Sequence, residues 1–394
     1  MVRIPVRCLQ ALILGVVLVD ASRADVEPAR HPRGATTSLS TRRLEDETVT
    51  KRLDPGEFGD RVATRAAIAR GLRFLAKQQA GQSDGSVPSV GSQPARLAVT
   101  ALGALAYMSA GNTLGRGPHG AELTRAVDYL LTHTELDPTT SRRGYISDAA
   151  DPNSRMHAHG FAALALAEAY GTSPRSDRGA RIAESLQAAI AIMESSQTSE
   201  GGWFYDPVRG VEHEGSVTIA LVQAMRAAKN CGLRVQPETI TKAVDYVRRS
   251  QADSGAFRYA IGNDQVTVAL TAAAISTLNA TGRYHGSEIQ QGFDYIDREL
   301  RLRAESPKRD SKLLPPGSLI PFPYYERLYL AQAYWQSPDR TRFDRWYEAE
   351  SEALLRTQAE DGSWSDPRFG PTYATAINIL VLALPDQLLP IFQR

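Results

Sequence analysis

Cysteine is almost missing from this chain: its 394 residues hold two, Cys8 and Cys231. Cys8 lies in an N-terminal segment read below as removable, which leaves Cys231 alone. No internal disulfide can then staple the fold, so large buried area must hold it together. An excess of one charge is missing too. The 45 Lys and Arg are matched by 44 Asp and Glu, for a formal net charge of +1. Without a basic face, a nucleic-acid groove is excluded. Long apolar runs are limited to Leu9–Val19, shorter than the about 20 residues that a spanning helix needs, so no membrane span is expected. Tryptophan occurs at only four positions, too few for a cavity walled by indoles.

What is present divides the chain into three parts. Arg3 and Arg7 flank the apolar run, and Ser22-Arg23-Ala24 offers small residues where a signal peptidase reads. Residues 1–24 are therefore expected to be a signal peptide, and the protein to be exported to the periplasm or beyond. Residues 25–60 are rich in Arg, Thr, Ser, Pro and acidic residues. So few apolar positions cannot offset the entropy of ordering, and the stretch is expected to be a disordered linker. An apolar fraction of 42% supports a packed core in the remainder, residues 61–394.

That remainder is repetitive. Ala126-Val127-Asp128-Tyr129-Leu130, Ala243-Val244-Asp245-Tyr246-Val247 and Gly292-Phe293-Asp294-Tyr295-Ile296 each sit in an amphipathic helical pattern. Gln197 to Trp203, Gln251 to Phe257 and Gln358 to Trp364 share one Gln-to-aromatic spacing with glycine near the aromatic, and Gln78 with Asp84-Gly85 is a version with a small insertion. Thr100, Thr218, Thr267 and Thr375 then lie near the start of helices that are apolar on nearly every side. A striped helix lies at a surface and a helix apolar all round is buried all round, so the alternation describes two concentric layers. Six such pairs are counted. An open array of repeats needs polar end caps, yet the last helix runs into Pro385, Leu388, Leu389, Pro390, Ile391 and Phe392. Those residues are expected to pack on the first pair. The fold expected is all-α, an (α/α)6 toroid of six helical hairpins.

The turns Gln197-x-x-Glu200-Gly201-Gly202-Trp203 and Gln358-x-x-Asp361-Gly362-Ser363-Trp364 resemble the Gln–Trp repeats of squalene–hopene and oxidosqualene cyclases. The wider group includes protein prenyltransferase β subunits, and the resemblance covers most of residues 61–394. Met156-His157-Ala158-His159-Gly160-Phe161, Pro323-Tyr324-Tyr325 and the closing Leu389-Pro390-Ile391-Phe392-Gln393-Arg394 look like bacterial, planctomycete-type single-toroid proteins with prenyltransferase and squalene-oxidase repeats. The resemblance implies an α/α toroid in which the glutamine caps a helix end and the aromatic stacks beside it.

It implies less about chemistry. The cyclase acid is the middle Asp of an Asp-x-Asp-Asp run, which this sequence lacks. The nearest stretch is Glu212-His213-Glu214-Gly215-Ser216, where Glu214 would take the acid's place, paired with Glu212 and oriented by His213. Glu214 reads equally as an acidic cap on the following helix. The zinc thiolate of the prenyltransferases has no counterpart, because Cys231 lies away from the family's ligand positions. His157 and His159 stand two apart, which on a helix turns their side chains apart, so neither metal nor cofactor is expected. The weak catalytic candidates are Glu214 and His213, and the ligand-binding candidates are His159, Glu212, Tyr325 and Tyr373. The motifs do not assign catalysis. The function expected is binding of an apolar, isoprenoid-like ligand or of a protein partner, with a terpenoid-acting enzyme using Glu214 as acid, or a structural scaffold, as alternatives.

Overall fold

The computed structural model describes residues 60–151, 153, 155–305 and 322–393. The expected signal peptide, and the linker up to residue 59, lie outside them. The chain forms twelve helices among the described residues, alternating between two layers. The outer helices are α1 (Arg61–Ala80), α3 (Gly120–Thr132), α5 (Asp177–Ser196), α7 (Pro237–Arg249), α9 (Ser287–Glu305) and α11 (Arg340–Thr357). The inner ones are α2 (Arg96–Ser109), α4 (Met156–Thr172), α6 (Gly215–Asn230), α8 (Val268–Ala280), α10 (Pro323–Gln336) and α12 (Pro371–Ala383). A small antiparallel hairpin, β1 (Arg258–Ala260) with β2 (Asn263–Val266), precedes α8.

Sequence pattern explains the layering. Every residue of α8 is buried, whereas α7 buries only Thr239, Ala243, Val244, Tyr246 and Val247, one stripe at three-to-four spacing. The helices start where side chains can take the first free amides: Asp60 accepts from Ala63 N, Ser176 from Gly179 N and Thr267 from Leu270 N. Each inner helix packs on the next, α2 to α4, α6, α8, α10, α12 and back to α2, so the ring is closed. The first outer helix, α1, packs on the last inner helix, α12, and touches α11. The fold is the all-α toroid of six hairpins.

The Gln-to-aromatic turns rivet each hairpin to its neighbour. Gln197 Nε2 donates to Gly201 O and to Thr239 O on α7, both at 2.9 Å. Gln251 repeats this with Gly255 O and Glu288 O on α9, at 3.0 and 2.8 Å. Gln358 repeats it with Gly362 O and Ala67 O on α1, both at 2.9 Å. In the first repeat the bonds to Gly85 O and Glu122 O come from Gln79, not Gln78, so the expected register is off by one. The turn glycine is forced. Gly201, Gly255 and Gly362 have φ of +96, +85 and +89, and an added Cβ would lie 2.3–2.5 Å from a carbonyl oxygen of the next outer helix. The aromatic residue that closes each turn donates its N–H to an inner-helix threonine: Trp203 to Thr218, Phe257 to Thr271 and Trp364 to Thr375, at 3.0–3.1 Å. In the third repeat the receiving residue is thus Thr271, while Thr267 is a cap.

The C-terminal segment meets the expectation in part. Asp386 pairs with Arg61 and Arg65 of α1, and Leu388 lies beside Gly111 at the end of α2; Leu389, Ile391 and Phe392 are buried, and the turn Pro390–Phe392 packs on α6 and α10. Ile391 N donates to Glu168 Oε1 on α4 at 3.1 Å. Inner helices leave their C-terminal ends around this point, and apolar side chains cover that end of the bore more effectively than they would a flank already filled by α12.

Candidate aromatic mouth of the ring

Each of the six inner helices follows a long connection, and the shorter turns into the outer helices lie at the opposite face. Loops of this kind, held by a rigid scaffold, are where binding residues concentrate. The N-terminal ends of the inner helices form the mouth, and it is aromatic. Tyr324 and Tyr373 meet edge to face at 6.0 Å, Phe369 lies 4.8 Å from Tyr373, and Phe322 stacks on Phe369 at 6.3 Å. Across from them the Tyr205 and Tyr259 hydroxyls are hydrogen-bonded at 2.7 Å. These rings are half-buried, packed on the core yet open on one side. Counting tryptophans had argued against an aromatic wall; tyrosine and phenylalanine supply it instead.

Glu214 sits among them, fully buried. It is the N-cap of α6: Oε1 accepts from Val217 N at 2.6 Å and Oε2 from Ser216 N at 2.9 Å, while Ser216 Oγ donates to Oε2 at 2.7 Å. These bonds place its charge at the positive end of the helix. His157 Nε2 stands 3.8 Å from Oε1. Burial pushes the His157 pKa down, with the Glu214 charge opposing. The same charge adds to burial in lifting the Tyr205, Tyr259 and Tyr325 hydroxyls above the ordinary tyrosine range.

The expected site residues scatter. Tyr325 and Tyr373 are at the mouth with Glu214. Glu212 is exposed, so the carboxylate pair does not form. His213 turns outward: its Nδ1 is 3.1 Å from the Tyr246 hydroxyl on α7, and the histidine beside Glu214 is His157 instead. His159 is fully buried, with Nδ1 accepting from Ile146 N at 3.1 Å and Tyr145 beside the ring at 5.4 Å. Burial drives its pKa down to about 3, the state of a neutral packing residue. Cys231 donates to Ala167 O at 3.1 Å, and burial pushes its thiol up to about 11, far from a reactive thiolate. No group of three or more metal-ligating side chains gathers among the described residues, and no helix there is long and apolar enough to cross a membrane.

Sequence reasoning missed what lies below the mouth. Gln223 Nε2 on α6 donates to Gln332 Oε1 on α10 at 2.8 Å. In the ring α8 stands between these two helices, so the bond crosses the bore. The bridge, with the C-terminal turn packed on the same two helices, spans the bore below the mouth. Two hollows of about 250 and 270 Å³ lie elsewhere, one at the α1 seam by Arg73 and Asp361, one between α6 and α7 by Met225 and Ile240. Neither contains a mouth residue.

No protein-family model and no curated protein matches the sequence. Solved structures do match in fold. The apo type II terpene cyclase MstE from Scytonema is 19% identical, with 84% of this chain and 100% of that chain covered and a TM-score of 0.50. The cellobiose 2-epimerase of Bacillus thermoamylovorans is 12% identical, with 82% and 99% covered and a TM-score of 0.56. An α-1,6-mannanase from Salegentibacter is 10% identical, with 82% and 99% covered and a TM-score of 0.53. Enzymes as different as these share the toroid, so the fold alone does not choose an activity.

Proposed function

We propose that the aromatic mouth opens as a cup that binds an apolar, isoprenoid-like ligand and does not cyclise it. The observation that carries this reading is the state of Glu214. A cyclase needs a carboxylic acid free to hand a proton to an alkene or epoxide. Here both oxygens accept hydrogen bonds from the first turn of α6, which commits the group as an acceptor. The half-buried rings around it offer apolar surface to a bound molecule. A type II terpene cyclase of this fold has been captured with geranylgeranyl dihydroxybenzoate as its substrate, which makes an isoprenoid chain the first class to test. Export remains part of the proposal, on the Arg-flanked apolar run; sequencing the mature N-terminus should find it near Asp25, and an intact Met1 would refute it.

The second reading, a terpenoid-acting enzyme, is favoured by the 3.8 Å approach of His157 to Glu214. One experiment separates the two. Purified protein is incubated with labelled squalene, oxidosqualene and geranylgeraniol, then assayed for retained label and for products by gas chromatography. Saturable retention without new products is expected, and Tyr373→Ala should weaken it by about tenfold, the equivalent of about 1.4 kcal/mol. A cyclised product that disappears in Glu214→Gln would establish the enzyme instead. No saturable retention of any of the three would leave a scaffold for protein partners.

A further inference from the structure

A polar stripe runs down one face of α10. Tyr325, Tyr329, Gln332 and Gln336 are spaced i, i+4, i+7 and i+11, which puts them on a single face, over about 16 Å of helix rise. Tyr329, Gln332 and Gln336 are buried, and Gln332 is the residue that bonds across the bore to Gln223. Burial of amides and hydroxyls in a ring built mainly of Ala, Leu and Ile is costly unless they are paired. Several are not. The Tyr325 hydroxyl is buried with no partner beyond the neighbouring Tyr329 hydroxyl, their rings 4.6 Å apart, and the Gln336 Oε1 has none. Tyr329 OH reaches Gln223 Oε1 only at 3.5 Å, beyond a good hydrogen bond.

We propose that the ligand enters polar end first, and that this end is a neutral hydroxyl or carbonyl bonded by Tyr325 and the Gln223–Gln332 bridge. This rests on the ligand-binding reading above and adds the chemistry of the ligand's terminus. A hydroxyl can both donate and accept, which is what a tyrosine O–H and two primary amides call for. A carboxylate or diphosphate would be repelled, because the buried Glu214 charge is felt at Tyr325. Among the described residues the cations nearest the mouth are engaged elsewhere: Arg327 is held by Glu350 at 2.5 Å and Asn378 at 3.1 Å, Arg155 pairs with Asp206 at 2.9 Å, and Arg368 lies over the Phe322 ring. An ammonium would be drawn by the same charge but would lose its water without gaining a hydrogen bond to Glu214, whose oxygens are fully buried and already bonded.

The test uses the folded mature protein and four probes with one isoprenoid chain: geranylgeraniol, geranylgeranoic acid, geranylgeranylamine and the parent hydrocarbon. Isothermal titration should rank the alcohol first, about tenfold or more above the hydrocarbon, with the acid below both. Gln332→Leu and the more conservative Tyr325→Phe should each shrink the alcohol-to-hydrocarbon ratio toward about one, since each removes polar atoms while keeping volume. Equal binding of alcohol and hydrocarbon would overturn the inference and leave the apolar cup intact. So would a preference for the acid or the amine, or an unchanged ratio in both variants. Failure of all four probes to bind would instead bring down the reading on which the inference rests.

Discussion

Replacing Gly362 by alanine isolates what closes the ring. Three costs are expected. Gly362 has φ +89, and a side chain in that left-handed region costs about 1–2 kcal/mol. The new Cβ would also lie 2.5 Å from the Arg70 carbonyl oxygen, so α1 and the turn must move apart. Forced overpacking of this kind costs about 1–3 kcal/mol, and the shift stretches the Gln358–Ala67 bond, at about 1 kcal/mol more. The reduced entropy of the unfolded chain returns about 0.4–1 kcal/mol. The sum is a destabilisation of roughly 2–5 kcal/mol. Gly282 supplies the control: its φ is +84, yet an added Cβ meets nothing within 4 Å. Gly282→Ala should therefore cost only about 1 kcal/mol. Urea unfolding followed by far-ultraviolet circular dichroism measures both. If the two variants lose the same stability within about 0.5 kcal/mol, the carbonyl contact does not hold the seam and the argument fails.

Three further outcomes are expected. Trp364 is buried and its Nε1 donates to Leu354 O at 3.0 Å; because Gln358 N also bonds that carbonyl, Trp364→Ala should cost mainly packing, about 3–5 kcal/mol, and a change below about 1 kcal/mol in urea melts would contradict its role as a wedge. Glu168 has its pKa raised by burial from 4.5 to about 7, so the folded state binds more protons than the unfolded state between these values, and its contribution to stability is present below pH 4.5 and lost as pH rises through about 7. Glu168→Gln should therefore gain on the wild type between pH 5 and pH 8, by an amount on the order of 3 kcal/mol, and parallel stability curves for the two proteins would refute this. Glu214→Gln would turn an amide N–H₂ toward one of the two backbone N–H groups that Glu214 now accepts from, at a cost of about 1–3 kcal/mol in the same melts; a neutral substitution would show that the cap is dispensable.

The ring was legible in the sequence because its rivets are made of residue types that nothing else replaces. Only glutamine presents one amide to two carbonyls, and only glycine survives so close to the next helix. Register was less legible. Gln78 and Gln79 are adjacent, and either satisfies a spacing rule loosened by an insertion. Thr267 and Thr271 both start α8, one as cap and one as acceptor. At the mouth, Tyr325, Tyr373 and Glu214 follow from their place at the starts of inner helices. Pairing partners do not, since His157 reaches Glu214 from another hairpin. The Gln223–Gln332 bridge joins residues 109 positions apart, beyond any local pattern. Its trace was nevertheless present in the stripe of Tyr325, Tyr329, Gln332 and Gln336 on a buried helix. The destination of the tail was legible only in part, because apolar character says that a segment is buried and not where: Asp386 and Leu388 reach the first hairpin, while Pro390–Phe392 packs on α6 and α10.

Ring closure also sets the order of events during synthesis. The contacts of Gln358 with Ala67 and of Gly362 with Arg70 join parts of the chain almost 300 residues apart. Until the last hairpin emerges, the α1 face that α12 will cover stays wet, while every other outer helix finds its neighbour soon after it is made. Contacts so distant along the chain form late and slow the final step, and the waiting surface invites capture by chaperones or by a second chain. A circular permutant cut in the α8–α9 turn, with the present ends joined by a flexible linker, would move the late step elsewhere and make the Gln358 seam an early, local one.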